Sequence, residues 1–71
     1  MLFKQNGEAI VRSSNVNLDR IEVYDMNGRL VSDAKNIRAQ EAKFPLSQVN
    51  QVLIFKITTT DGVTVSKKIV N

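Results

Sequence analysis

Apolar and polar residues alternate along most of this chain, which is the pattern of half-buried β-strands. The alternation predicts six strands, at about residues 8–13, 20–25, 29–34, 39–44, 52–60 and 63–70. No helix is favoured, because even the best helical candidate, residues 37–43, lacks a consistent apolar stripe. Short strands at this spacing, with turn residues between them, predict an antiparallel sandwich or a small barrel.

Composition supports an all-β fold. Six Ile, nine Val and four Thr make more than a quarter of the 71 residues β-branched, and such side chains favour strands over helices. The chain contains no internal repeat, linker or low-complexity segment. We therefore expect residues 1–71 to form a single domain.

The first turn that fixes a strand register is Asn27-Gly28. A two-residue loop there would mix apolar and polar side chains on each face of the hairpin. A three-residue loop, with Gly28 in the left-handed conformation, instead pairs Val23 with Val31 and Tyr24 with Leu30. The pattern favours the three-residue loop.

The second such turn is Asp61-Gly62. A three-residue loop pairs Ile57 with Val65 and Leu53 with Ile69 on one face, whereas a two-residue loop would pair apolar with polar residues. The three-residue loop is therefore favoured here as well.

This second register sets Lys67 opposite Phe55 on the apolar face. Two interpretations are open: the lysine stem reaches the rim of the sheet, or the ammonium lies over the aromatic ring.

Missing residue types narrow the chemistry. The chain has no Cys, which excludes disulfides, thiolate nucleophiles and zinc fingers, and no His, which removes the usual general base and the commonest metal ligand. Ser13, Ser14 and Ser47 have no base partner and indicate turns. We predict a protein that is not an enzyme, has no catalytic residue and uses no cofactor.

Glu22, Asp25 and Asp33 are the nearest approach to a carboxylate cluster. The predicted register sets Glu22 against Ser32 and Ile21 against Asp33, so the two acids would point to opposite faces. We therefore expect no metal site, and expect Asp25 to accept hydrogen bonds from the turn backbone.

Ten Lys and Arg against seven Asp and Glu give a net charge of +3. The basic residues are scattered, only Lys67 and Lys68 being adjacent, and aromatic residues are few, so neither nucleic acid nor a small-molecule substrate is expected as a partner. No apolar run is long enough to span a bilayer, and the start of the chain lacks the pattern of a signal peptide.

The most distinctive segment is residues 63–71, an alternating strand that carries both adjacent lysines. One interpretation is an ordinary closing strand whose lysines protect a sheet edge. The other is a strand presented to a protein partner, with the lysines as charged contacts.

An ordered set of motifs in this chain resembles a known family. The set comprises residues 21–31 (Ile-Glu-Val-Tyr-Asp-Met-Asn-Gly-Arg-Leu-Val), Pro45-Leu46-Ser47, the long strand 52–60, Asp61-Gly62 and the ending Lys67-Lys68-Ile69-Val70. Together these resemble the C-terminal sorting domain of cargo proteins of the type IX secretion system of Bacteroidetes, over roughly residues 7–71. The chain departs from that family in lacking a Tyr-Pro-Asn-Pro-like opening and a Gly-x-Tyr before the long strand.

The resemblance implies an immunoglobulin-like β-sandwich of about six or seven short strands, appended to an upstream cargo domain. It further implies a role as an address label, which the outer-membrane translocon and its shuttle recognise and a sortase-like protease commonly removes. The parent protein would then be secreted or held at the cell surface, after passing through the periplasm and the outer membrane. Gly28 and Gly62 match the family's turn glycines, and Lys67, Lys68, Ile69 and Val70 match its recognition motif.

An alternative function is an immunoglobulin-like accessory or adhesion module that binds a glycan or a protein at the cell surface. Position in the parent protein separates the two, because a sorting domain must stand at the C-terminal end. Pairing of an exposed edge strand between two copies would also give a homodimer.

Overall fold

The computed structural model describes residues 1–46 and 51–70, and these residues form β-strands and connecting turns. The predicted turn residue Ser47 lies outside the described residues. The strands, in chain order, are β1 (Leu2–Gln5), β2 (Glu8–Arg12), β3 (Leu18–Tyr24), β4 (Leu30–Ala34), β5 (Glu41–Pro45), β6 (Val52–Thr59) and β7 (Thr64–Val70).

The strands form two antiparallel sheets that pack as a small sandwich. One sheet has the order β1-β2-β5 and the other the order β4-β3-β6-β7. The all-β, antiparallel sandwich predicted from the alternating pattern is confirmed, and the barrel alternative is wrong because the strands divide into two sheets. β1 and β5 are the edges of the smaller sheet, and β4 and β7 those of the larger.

The core lies between the two sheets and is built from the inward-facing residues of four strands. Phe55 is fully buried at its centre, and its ring meets that of Phe44 edge to face, with 5.6 Å between the centroids. In β6 the buried residues Leu53, Phe55 and Ile57 alternate with exposed ones, as the sequence pattern predicts. Leu18 lies three residues before Ile21 and joins the same core because the register of β3 shifts between Leu18 and Arg20. The buried cluster consists of Ala9, Val11, Leu18, Ile21, Val23, Leu53, Phe55, Ile57 and Ile69.

Six of the seven strands match the predicted strands, with ends that agree to within two residues. The seventh, β1, was not predicted. It forms a hairpin with β2 through Asn6 and Gly7, both at positive φ, so that Gln5 pairs with Glu8. Asn-Gly is a strong signal for such a two-residue turn, and it was available in the sequence.

The register of the β6–β7 hairpin is as predicted. Leu53 pairs with Ile69, Phe55 with Lys67, and Gly62 adopts a φ of +87° in the turn. The hydrogen bond from the Thr59 N–H to the Val63 carbonyl, at 2.9 Å, closes the three-residue loop.

The β3–β4 hairpin confirms half of its predicted register. Tyr24 pairs with Leu30 and Gly28 is left-handed at φ +80°, as expected. The predicted pairing of Val23 with Val31 is wrong, because a β-bulge follows and Val23 lies opposite Ser32. A bulge sets two residues against one and shifts every later pair by one position.

Candidate functional site

Strand β7, which carries the predicted recognition motif, lies at an edge of the larger sheet. It pairs with β6 on one side, and no described strand pairs with its other side. Amides of an antiparallel strand point alternately toward each neighbour. Because Val63 bonds to β6, this alternation directs the N–H and C=O groups of Thr64, Ser66, Lys68 and Val70 away from the sheet.

The structure does not bring the four motif residues to one face. Ile69 faces the core and is 8% exposed, and it lies opposite Leu53, as the predicted register requires. Val70 is 58% exposed, and Lys68 and Val70 belong to the outer face of the sheet. Any partner that contacts all four residues must therefore approach along the strand edge, where both faces are accessible.

Lys67 lies opposite the buried Phe55, as predicted, yet its own side chain is exposed. Among the described residues, the cation–π contact joins Arg12 and Phe3, at 5.3 Å from the guanidinium carbon to the ring centroid. The position of Lys67 therefore favours the interpretation in which the stem follows the rim.

An open groove of about 380 Å³ runs beside the inner face of β7. We call it the β7 groove. Its apolar lining includes buried side chains from β2, β3 and β6, and Val65 of β7, which is 45% exposed. Sequence reasoning did not identify this groove, although the alternation in β7 sets Val65 and Lys67 on the inner face of an edge strand. The apolar lining consists of Met1, Val11, Leu18, Ile57 and Val65.

The charges of β7 are unmatched within the described part of the chain. Lys67 and Lys68 enter none of its ion pairs, and the strand contains no acidic residue. β1 lies in contact with β7 and contributes one charged residue, Lys4, which is likewise unpaired in residues 1–46 and 51–70. This side of the sandwich therefore presents positive charge.

The predicted turn residues have structural roles. As expected, Asp25 accepts hydrogen bonds from the backbone N–H groups of Arg29 and Asn27, at 3.0 and 2.9 Å, which lower the pKa of its carboxyl group. Asp61 accepts a hydrogen bond from the side-chain hydroxyl of Thr59, which lowers the pKa of its carboxyl group as well. Both carboxylates hold loops in shape.

The prediction that Glu22 and Asp33 point to opposite faces is wrong. The bulge in β4, between the Tyr24–Leu30 and Val23–Ser32 pairs, shifts the register, so Glu22 lies directly opposite Asp33 on the outer face. Arg20 stands between them and binds Asp33 through two hydrogen bonds of 3.1 and 3.2 Å, which lower the pKa of Asp33. The missed residue was Arg20, and its signal was its position two residues before Glu22 on the same face.

The hydroxyl of Tyr24 completes this cluster by donating to Glu22 at 2.9 Å, a bond that raises the pKa of Tyr24. The polar groups of Arg20, Glu22, Tyr24 and Asp33 are therefore paired with one another. No set of three metal-ligating side chains is found in the part of the chain that the structure describes. The arrangement is an ion-paired and hydrogen-bonded cluster on the outer face of the larger sheet.

The last findings concern membrane-spanning helices and the similarity of the chain to known proteins and families. The described residues include no helix long and apolar enough to cross a bilayer. Among curated proteins, none matches the sequence. A match over residues 1–71 shows that the chain belongs to the family described as a domain of unknown function, DUF8694.

Proposed function

We propose that this domain is a C-terminal sorting signal of the type IX secretion system, which directs an upstream cargo protein across the outer membrane. Its partners are the outer-membrane translocon, the shuttle and a sortase-like protease, and the domain itself is not catalytic. The cargo is delivered to the cell surface or the medium.

The observation that supports this proposal most is the position of the Lys67-Lys68-Ile69-Val70 motif. It stands on an edge strand, with both lysines exposed and unpaired among the described residues, while Ile69 anchors the strand in the core. A signal must be both stably folded and accessible to its receptor, and an anchored edge strand combines these properties.

The test is an export assay with a reporter protein fused ahead of residues 1–71, behind an N-terminal secretion signal, in a type IX-competent host. We expect the reporter at the cell surface or in the medium of wild-type cells, and in the periplasm of translocon-deficient cells. Periplasmic retention of a folded fusion in wild-type cells would refute the proposal.

Matched substitutions separate recognition from folding. We expect K67A/K68A to reduce export because it removes two exposed charges of β7 that do not belong to the buried cluster. The control K35A/R38A removes two exposed cations near β4 and should leave export unchanged. Equal export by both double variants would show that the lysines of β7 are not recognised.

A second candidate function, an accessory module that binds a protein surface, is favoured by one observation. Leu30 and Ile54 are 46% and 38% exposed, and both flank Tyr24 in one cross-strand row on the outer face. Exposed apolar groups in a row are typical of contact surfaces. The variant L30S/I54S should leave export intact if the domain is a sorting signal, and should abolish ligand binding if it is an accessory module.

A further inference from the structure

We infer that the outer edge of β7 binds an extended acidic segment of another protein, which adds to the larger sheet as a fifth strand beyond β7. The inference rests on the proposed function, which it deepens by naming the chemistry of the partner that contacts β7. Three features of the described residues carry it: the unpaired backbone, the β7 groove and the charge of the edge.

The backbone of β7 offers a template for pairing. Four residues, Thr64, Ser66, Lys68 and Val70, direct their N–H and C=O groups outward, as the ladder with β6 requires. β1 contacts β7, but no backbone hydrogen bond joins the two within the described chain. An edge this long, with no bulge and no proline, is the kind to which extended peptides add.

The β7 groove would receive every second side chain of the incoming strand. A volume of about 380 Å³ lies at the small end of the ~300–1,000 Å³ typical of ligand pockets. Residues of an added strand alternate between the two faces, so every second one would point toward the groove. Val65, on the groove side of β7, is 45% exposed. Apolar side chains of the added strand that point into the groove would cover this exposed apolar surface.

The positive charge of β7 indicates which kind of strand binds beside it. β7 contributes Lys67 and Lys68 and no acid, and neither lysine is ion-paired among residues 1–46 and 51–70. A second copy is a poor occupant, since antiparallel pairing of β7 with itself about its centre would bring lysines of the two strands together. In an added strand whose apolar side chains face the groove, the acidic side chains lie on the outer face, on the side of Lys68, and bring no like charge to this edge.

The first test uses the whole chain and two synthetic peptides of about eight residues. One alternates valine with glutamate and the other valine with lysine. Titration followed by NMR should show binding of the acidic peptide, with the largest changes at the amides of Ser66 and Lys68. Binding of neither peptide, equal binding of both, or dimerisation of the chain through β7 would overturn the inference.

Two variants test the edge itself. Ser66→Pro removes one outward N–H that the ladder with β6 does not use, so the fold should persist while peptide binding is lost. The charge reversal K67E/K68E should weaken binding by about tenfold or more. The control K35E/R38E makes the same change of net charge on the β4 side. It also breaks the ion pair of Lys35 with Asp33, at 3.9 Å, and should bind the acidic peptide as the wild type does.

Variants are compared only after circular dichroism and thermal melting show that they are folded. If S66P does not fold, K67E/K68E alone decides, and binding equal to that of the wild type would overturn the inference. The export assay keeps the two proposals apart. A chain that exports its reporter but does not bind the acidic peptide refutes this inference alone, whereas peptide binding without export refutes the sorting function alone.

Discussion

Substitution of Ile69 measures how much this residue stabilises β7, independently of whether a partner recognises the strand. Ile69 is the residue of β7 that belongs to the buried cluster, at 8% exposure, and it faces Leu53. Replacing it with alanine removes buried methyl and methylene groups and leaves a cavity. Because the site is on an edge strand and can partly collapse, we expect a loss near the low end of the known range, about 2–3 kcal/mol.

That loss is large for so small a domain. At roughly 0.05–0.15 kcal/mol per residue, 71 residues correspond to a free energy of unfolding of ~4–11 kcal/mol. Urea denaturation followed by far-ultraviolet circular dichroism measures the change. With a slope of about 1 kcal/mol per molar urea, expected for a small chain, the midpoint should fall by ~2–3 M.

The matched control is Val70→Ala, in the same strand and 58% exposed. It should change stability by less than ~0.5 kcal/mol. If Ile69→Ala and Val70→Ala shift the urea midpoint equally, then Ile69 does not anchor β7 and the packing argument is wrong.

Three further outcomes are expected. Gly28→Ala should lower the free energy of unfolding, measured by thermal melting, by ~1–2 kcal/mol, because the turn holds φ at +80°. Open space surrounds the added methyl group, so the cost is purely conformational. An unchanged stability would contradict the left-handed turn. Phe55→Leu should destabilise the domain by about 1–2 kcal/mol because it removes the ring contact with Phe44, and an unchanged urea midpoint would count against that contact. Because Arg20 lowers the pKa of Asp33 below its ordinary 3.8, the pair stabilises the fold at neutral pH and ceases to do so as the pH falls through the lowered value. Stability should thus decline below about pH 4, and Asp33→Asn should flatten that decline; an equal decline in the variant would argue against the ion pair.

Much of the fold could be predicted from the sequence because strand alternation and turn glycines act locally. The β6–β7 hairpin shows this: one apolar face and one Asp-Gly turn fixed all seven of its residue pairs. β1 was missed because four residues offer too little alternation, so Asn6-Gly7 was its single clear signal.

The contact of Asp33 with Arg20 and its position opposite Glu22 could not be predicted, because both depend on the bulge in β4. Val31 is the extra residue of the bulge, and both Val31 and Ser32 lie on the side of Val23. The extra residue shifts the later pairs by one position and so brings Asp33 opposite Glu22. No local pattern distinguishes a bulged strand from a regular one when the residues concerned tolerate either face. The β7 groove was missed for a different reason: it depends on how far one sheet covers the other.

The pairing of β3 with β6 has a consequence for how fast the domain forms. The hairpins β1–β2, β3–β4 and β6–β7 join neighbours in sequence. The pairing of β3 with β6 joins residues as distant as Leu18 and Thr59, and that of β2 with β5 residues as distant as Glu8 and Pro45. Closing so long a loop costs entropy before any contact offsets it, so folding rates fall as such pairings dominate. We therefore expect the hairpins to form in microseconds, while the two long-range pairings, β3 with β6 and β2 with β5, set the time in which the whole domain folds.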